Sequence, residues 1–417
     1  MNNEKHIPQG YKDSPLGIIP MEWQVKRLGD FGSFKNGLNF SPNDSGYSYC
    51  FLGVGDFLNR NVIDARSLGQ ICLKEKLDEN YLLKDQDLVF VRSNGSRSLV
   101  GRCVLIHTNQ IEVTYSGFCI RFRCDNKCST TQYIQHLISI GYLKRFLVYE
   151  GRGTNITNLN QDILNRLSFP MPPKTEQDRI LNILSVWDTS IDKQSELIEK
   201  LKLRKRALMQ QLLSGKKRLP GFSGEWKRVP IKSFAKEISI RNNEEKNFTV
   251  LSCTKYDGLV PSLEYFGRQI YSKDLRSYKI VPQYHFAYAT NHIEEGSIGY
   301  QSKYEYGLIS PMYTVFITDK SEIDDVFLFA VLKSHHLIYL YQSMMEGSIN
   351  RRGGLRWDSF STIKIDLPPL SEQKAISTFL KVADKEIELA NENLTNLQSQ
   401  KRGLMQQLLT GKKRLLY

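Results

Sequence analysis

The most regular feature of the chain is an apolar seam that occurs twice. In the first copy, apolar side chains fall at Ile180, Leu184, Trp187, Ile191, Ile198, Leu201, Leu208 and Leu212. In the second they fall at Ile376, Leu380, Ala383, Ile387, Leu394, Leu397, Leu404 and Leu408. Steps of three, four and seven predict a long amphipathic helix with a heptad-like stripe. Pro172-Pro173 and Pro368-Pro369 cannot lie inside a helix and mark where each one begins. Thr175 and Ser371 are candidate N-caps, with Asp178 completing a weak capping box in the first copy only. Gly215 and Gly411, each followed by Lys-Lys-Arg, are stop signals whose cations suit the negative end of a helix dipole.

The two seams belong to a repeat. Lys205–Leu219 reads KRALMQQLLSGKKRL and Lys401–Leu415 reads KRGLMQQLLTGKKRL, identical at 13 of 15 positions with an offset of 196. A period this long describes two copies of a domain-plus-helix unit rather than a solenoid. One helix cannot bury such a seam alone, so the two are expected to pair antiparallel as a coiled coil. Two ordinary core helices of separate domains are the alternative. Lys205 and Lys401 interrupt the seam at the same place in both copies. At about 1.5 Å per residue, a helix from Glu176 to Leu213 spans roughly 57 Å, more than one turn of duplex DNA.

Outside the helices the pattern changes to short β-type runs, among them Tyr49–Leu52, Asp87–Val91, Cys103–Ile106 and Phe118–Phe122. Helical spacing returns over Thr131–Glu150 and around Asp324–Met345. Glu22-Trp23 and Glu225-Trp226 open the two halves. Ser116–Phe122 aligns with Ser310–Phe316, and Phe90–Gly101 aligns loosely with Phe286–Gly299. The expected fold class is α+β: two mixed globules, each followed by a long helix, with an internal pseudo-twofold repeat. The expected divisions are an arm (1–20), a first globule (21–171), a helix (172–217), a linker (218–225), a second globule (226–367) and a second helix (368–417). The proline-rich arm is expected to be extended and ordered against a neighbour.

Charge narrows the partner. A formal net charge of +13 favours a polyanion. Near-identical helices joined to divergent globules suggest a common chassis with two different reading heads. The candidate DNA contacts lie in polar, basic, glycine-rich loops. In the first head they are Arg92, Ser93, Asn94, Ser96, Arg97 and Arg102, with Arg152 and Asn155. In the second they are Asn291, Ser297, Tyr300, Gln301 and Lys303, with Asn350, Arg351, Arg352 and Arg356. Arginine suits guanine edges, Asn and Gln suit adenine, and solvated loops are the alternative reading.

Other chemistry is weak. Cys119, Cys124 and Cys128 with His136 do not have a standard zinc spacing, so no metal is expected. Leu52-Gly-Val-Gly-Asp56 lacks the third glycine of a cofactor loop, and there is no phosphate-binding G-x-x-x-x-G-K-[ST] run. Asp366-Leu-Pro-Pro lacks the adjacency and the aromatic of an adenine-methyltransferase motif. His335-His336 reads as structural or surface rather than catalytic, and no catalytic grouping stands out. The seven cysteines, and no apolar run long enough for a bilayer, place the chain in the reducing cytoplasm.

Gly10–Asp30 (GYKDSPLGIIPMEWQVKRLGD), Leu219–Lys227 (LPGFSGEWK), the two Pro-Pro…Glu-Gln helix entries and Gly296–Tyr313 closely resemble the specificity subunit of a type I restriction-modification system. The resemblance covers nearly the whole chain. It implies a non-catalytic subunit with two target-recognition domains, each reading one half of a gapped double-stranded DNA site. It further implies two copies of a DNA methyltransferase subunit docked on the helices, and a restriction/translocase subunit, together serving phage defence. No cofactor is expected in this chain; S-adenosylmethionine, and ATP with Mg, belong to the partners. A catalytic methyltransferase or nuclease with a duplicated core, or a scaffold that binds no DNA, are the competing functions.

Overall fold

The computed structural model describes residues 7–39, 45–58, 61–93, 99–125, 131–149, 158–346 and 354–415. The chain forms two compact units, Met1–Ser195 with Asn393–Tyr417, and Glu196–Glu392. Nine α-helices run through the described residues: α1 (Thr131–Ser139), α2 (Tyr142–Tyr149), α3 (Gln161–Arg166), α4 (Lys174–Leu213), α5 (Ser262–Phe266), α6 (Asp325–Leu332), α7 (His335–Glu346), α8 (Trp357–Phe360) and α9 (Leu370–Leu408). The long helices α4 and α9 are thus shared: each unit holds one part of α4 and one part of α9.

In the first unit a five-stranded sheet runs in the order Gly32–Asn36, Cys119–Cys124, Leu88–Val91, Cys103–His107, Val62–Asp64. The Leu88–Val91 strand is buried on both faces, which explains its unbroken apolar run. Leu88 and Phe90 join Ile120 and Phe122 in a core with α1, α3 and the start of α4. Val89, Val91 and Cys119 face the other way, into a second core under the sheet that contains Tyr47–Leu52. The end of α9 returns to this unit, where Met405, Leu408 and Leu409 complete the first core. The Tyr133 hydroxyl donates to the Pro170 and Leu409 carbonyls, at 3.3 and 3.2 Å.

The second unit repeats the plan with the order Ala235–Ile238, Tyr313–Thr318, Phe286–Ala289, Ile298–Tyr300. Phe286 stacks on Phe316 at 4.9 Å within a core closed by Leu212 of α4 and by Ile376 and Leu380 of α9. The expected α+β class with paired long helices is therefore what forms.

Within each unit the pairing of α4 and α9 is antiparallel. In the first, Asp188 meets Lys401 and Glu176 meets Arg414. In the second, Lys205 meets Asp384, Arg204 meets Glu386 and Arg218 meets Glu372. Partner numbers fall along one helix and the Gly-Lys-Lys-Arg run after it as they rise along the other helix and its run, the signature of opposed directions. The seam divides its labour. Ile180, Leu184, Ile376 and Leu380 serve the globule cores, and Ile198 and Leu201 are buried as well. Trp187, Ile191, Ile387, Leu394 and Leu397 are half-buried.

Several local expectations are corrected. The helical spacing that starts at Thr131 is divided between two helices: Gly141 at φ +81 separates α1 from α2. Asp324–Met345 divides likewise between α6 and α7 at Lys333-Ser334. Thr175 is inside α4 rather than capping it. Pro173's carbonyl takes the Glu176 and Gln177 amides at 3.0 Å, and Asp178 pairs instead with Lys174 at 2.9 Å. Pro369 does the same for Glu372 and Gln373 at 2.9 and 3.1 Å. Each glutamine side chain reaches back to the preceding proline carbonyl, Gln177 to Pro172 at 2.7 Å and Gln373 to Pro368 at 2.9 Å. The arm is also folded from residue 7 on: Tyr11–Lys12 pairs with Ile19–Pro20, and Ile19 enters the first core.

Candidate nucleic-acid interface

In each unit the candidate loops start where the central strand ends. After Val91, the Arg92 and Ser93 amides donate to the Phe118 carbonyl at 2.8 and 3.4 Å. The Leu159 amide then donates to the Arg92 carbonyl at 2.8 Å, and Ser93 forms an antiparallel bridge with Asn158. Three segments, 92–93, 116–118 and 158–159, thus meet at one end of the sheet. The last of these follows directly on residues 151–157, which lie outside the described residues.

The second unit builds the same junction with different residues. The Thr290 hydroxyl donates to the Met312 carbonyl at 2.9 Å, and the Leu355 amide donates to the Thr290 carbonyl at 2.9 Å. Gly354, at φ +64, passes so close to this turn that a Cβ would sit 2.3 Å from Asn291 Oδ1. Only glycine fits there. Leu159 and Leu355, 196 residues apart, are both buried and anchor the two junctions in their cores.

The candidates separate on inspection. Arg92 and Ser93 are half-buried at the first junction, while Asn291, Lys303 and Arg356 are exposed in the second unit. Arg102 is committed inward: its guanidinium donates to the Phe57 carbonyl at 2.9 Å. Ser297 and Gln301 belong to the frame, since both are buried and the Gln301 side-chain oxygen accepts the Lys303 amide at 3.1 Å. Tyr300 packs on Phe286 at 4.8 Å, and burial together with the Asp325 carboxylate raises its phenol above the ordinary value. Asn94, Ser96, Arg97, Arg152, Asn155, Asn350, Arg351 and Arg352 lie outside the described residues.

Other motifs resolve into structure. Cys119 and Cys124 sit on opposite faces of one strand, in different cores, so these two cannot share an ion; Cys128 lies outside the described residues. Burial alone pushes the Cys103 thiol up, and burial together with the Asp56 carboxylate raises the Cys119 thiol to about 12. The glycines of Leu52–Asp56 form a short turn whose first amide, on Gly53, is capped by the Asp56 carboxylate at 2.8 Å. His335 and His336 are exposed in the first turn of α7. Among the described residues no helix is long and apolar enough to cross a membrane.

The chain is a specificity protein of the type I restriction-modification class, which the family match shows. The sequence model for the type I restriction modification DNA specificity domain matches residues 20–203 and 263–399, and the chain belongs to that family. It is 26% identical to a putative type I restriction enzyme MjaX specificity subunit of Methanocaldococcus jannaschii, over 98% of this chain and 97% of that one. It is 24% identical to the MjaVIII specificity subunit of the same organism, over 95% and 94%. A chain solved in a study of complex assembly and conformational transition of the type I R-M system shares the fold, with a TM-score of 0.60 and 15% identity over 95% of this chain and 99% of that one. Specificity subunits are the non-catalytic component of such systems, so a catalytic methyltransferase or nuclease core is set aside.

Proposed function

We propose that this specificity subunit reads a bipartite, gapped double-stranded DNA site, one half with each globule, and directs adenine methylation or cleavage by partner subunits. The observation that carries the reading is the pair of equivalent three-segment junctions, built on one backbone plan from different side chains. Equal scaffolding with unequal residues is what two different half-sites call for. Phosphate contacts would supply affinity and base edges would supply sequence. The net charge of +13 supports the first, and exposed Asn291, Lys303 and Arg356 supply donors for either.

The partners in this reading are two copies of a DNA methyltransferase subunit and a restriction/translocase subunit, acting in the cytoplasm. Support for a doubled partner comes from Val186 and Val382, which are 196 residues apart and exposed on α4 and α9. S-adenosylmethionine, and ATP with Mg, would be bound by those partners.

The test is genome-wide methylation mapping of the host with and without this gene. Loss of methylation at a two-part motif with a fixed gap is the expected result. Unchanged methylation in cells that express active partners would refute the reading.

A further inference from the structure

Both junctions present an apolar side chain that the polar-loop reading passes over. Phe118 and Met312 are 55% and 60% exposed, although the residues that follow them enter buried strands. They are structural equivalents. Each is the third residue of a β-turn closed by a backbone hydrogen bond, Cys119 to Ser116 at 2.9 Å and Tyr313 to Ser310 at 3.0 Å. In each turn the serine hydroxyl also accepts the amide of the exposed residue, at 3.2 Å for Phe118 and 3.5 Å for Met312. Each carbonyl is held by the candidate reading loop: Phe118 by Arg92 and Ser93, Met312 by Thr290.

A single exposed apolar side chain on a protein surface is ordinary. Two at the same place in divergent globules, on turns locked from both sides, beside the loops proposed to read DNA, are a different observation. The turns differ in sequence, Ser-Gly-Phe against Ser-Pro-Met, so what persists is an outward apolar side chain at one point of the scaffold. The chemistry available to it at a groove floor is contact with base edges, above all the thymine methyl group.

We propose that Phe118 and Met312 are base-contacting specificity residues, each pressing on base-pair edges of the half-site read by its own globule. This deepens the DNA-reading assignment and rests on it. The contact is apolar, so it acts on discrimination between sequences and leaves the electrostatic part of binding alone.

The test uses the full-length chain in complex with its methyltransferase partner and duplexes carrying the motif found by methylation mapping. Affinities of wild type, Phe118→Ala and Met312→Ala are measured over a series of salt concentrations, on the full site and on duplexes with one half-site scrambled. Each variant is expected to lose about tenfold on the full site and to lose discrimination at one half-site only, a different half for each. The slope of log affinity against log salt stays unchanged, because no phosphate contact is removed. Phe118→Leu and Met312→Leu should recover most of the loss. Wild-type affinity and discrimination in both alanine variants would overturn the assignment while leaving the DNA-reading function intact. So would equal loss at both half-sites with a lowered melting temperature, which would mark a structural role. A wild-type complex with no site preference would sink the parent reading as well.

Discussion

Arg414, near the end of the chain, holds Glu176, in the first turn of α4, through two hydrogen bonds of 2.8 and 2.9 Å. Trp23 donates its indole N–H to the same carboxylate at 2.9 Å. The second unit repeats the pair: Arg218 grips Glu372 at 2.5 and 2.6 Å, with its guanidinium over the Trp226 ring. The Trp226 indole nitrogen, by contrast, is buried with no partner among the described residues. Both arginines come from the Gly-Lys-Lys-Arg run after a long helix, and each closes on the glutamate that starts the other long helix.

Arg414→Ala leaves the Glu176 carboxylate buried without its counter-charge. A loss of roughly 3–5 kcal/mol in unfolding free energy is expected. Chemical denaturation of the variant, with Arg218→Ala as its counterpart in the second unit, measures it. A change below about 1 kcal/mol in both would show that the pair does not secure the helix starts within their units.

The seam lysine predicts an asymmetry. Lys401 has a side chain only 10% exposed, and its ammonium meets Asp188, which is 47% exposed. Asp188→Ala strands a buried cation and should cost about 2–4 kcal/mol. Lys401→Met leaves a carboxylate that water can reach and should cost less than about 1 kcal/mol. Melting curves of the two variants decide it; equal losses would contradict the argument.

The two helix-stop glycines are not equivalent. Both are left-handed, Gly215 at φ +68 and Gly411 at φ +72. A Cβ on Gly411 would lie 2.5 Å from Pro20, whereas on Gly215 the nearest atom is Trp226 at 3.6 Å. Gly215→Ala should therefore cost about 1 kcal/mol from backbone conformation alone. Gly411→Ala should cost clearly more, because Pro20 must move as well. Denaturant midpoints of the two variants test the order.

His136 should make the first unit sensitive to acid. Burial lowers its pKa from 6.5 to about 4, and the Lys401 ammonium adds to the shift while Asp188 opposes it. The unfolded chain then binds the proton more readily than the folded one between those values. Stability is complete above pH 6.5 and is lost as pH falls toward 4, by as much as about 3 kcal/mol. His136→Gln should flatten the unfolding free energy of the protein across that window; an unaltered pH profile would remove His136 as its cause.

Much of this architecture is written in local patterns. Heptad steps, Pro-Pro entries and Gly-Lys-Lys-Arg exits mark α4 and α9 to within a few residues, because helix periodicity and capping chemistry are properties of neighbours in sequence. The 196-residue repeat reveals the duplication, and the glycine-rich polar runs point to the loops beside the two junctions. The breaks at Gly141 and at Lys333-Ser334 were less legible, since apolar spacing continues across both.

The tertiary structure decided what no spacing records. It placed Arg414 on Glu176 and Lys401 on Asp188, 238 and 213 residues away in sequence. It drew Ser297, Gln301 and Arg102 into the frame and brought Phe118 and Met312 out beside the loops. A polar residue in a loop looks the same in sequence whether it faces water or a carbonyl from another segment. An apolar residue before a strand looks the same whether it enters the core or stands at a turn. Only the packing of distant segments, which sets which groups lose their water, separates these cases.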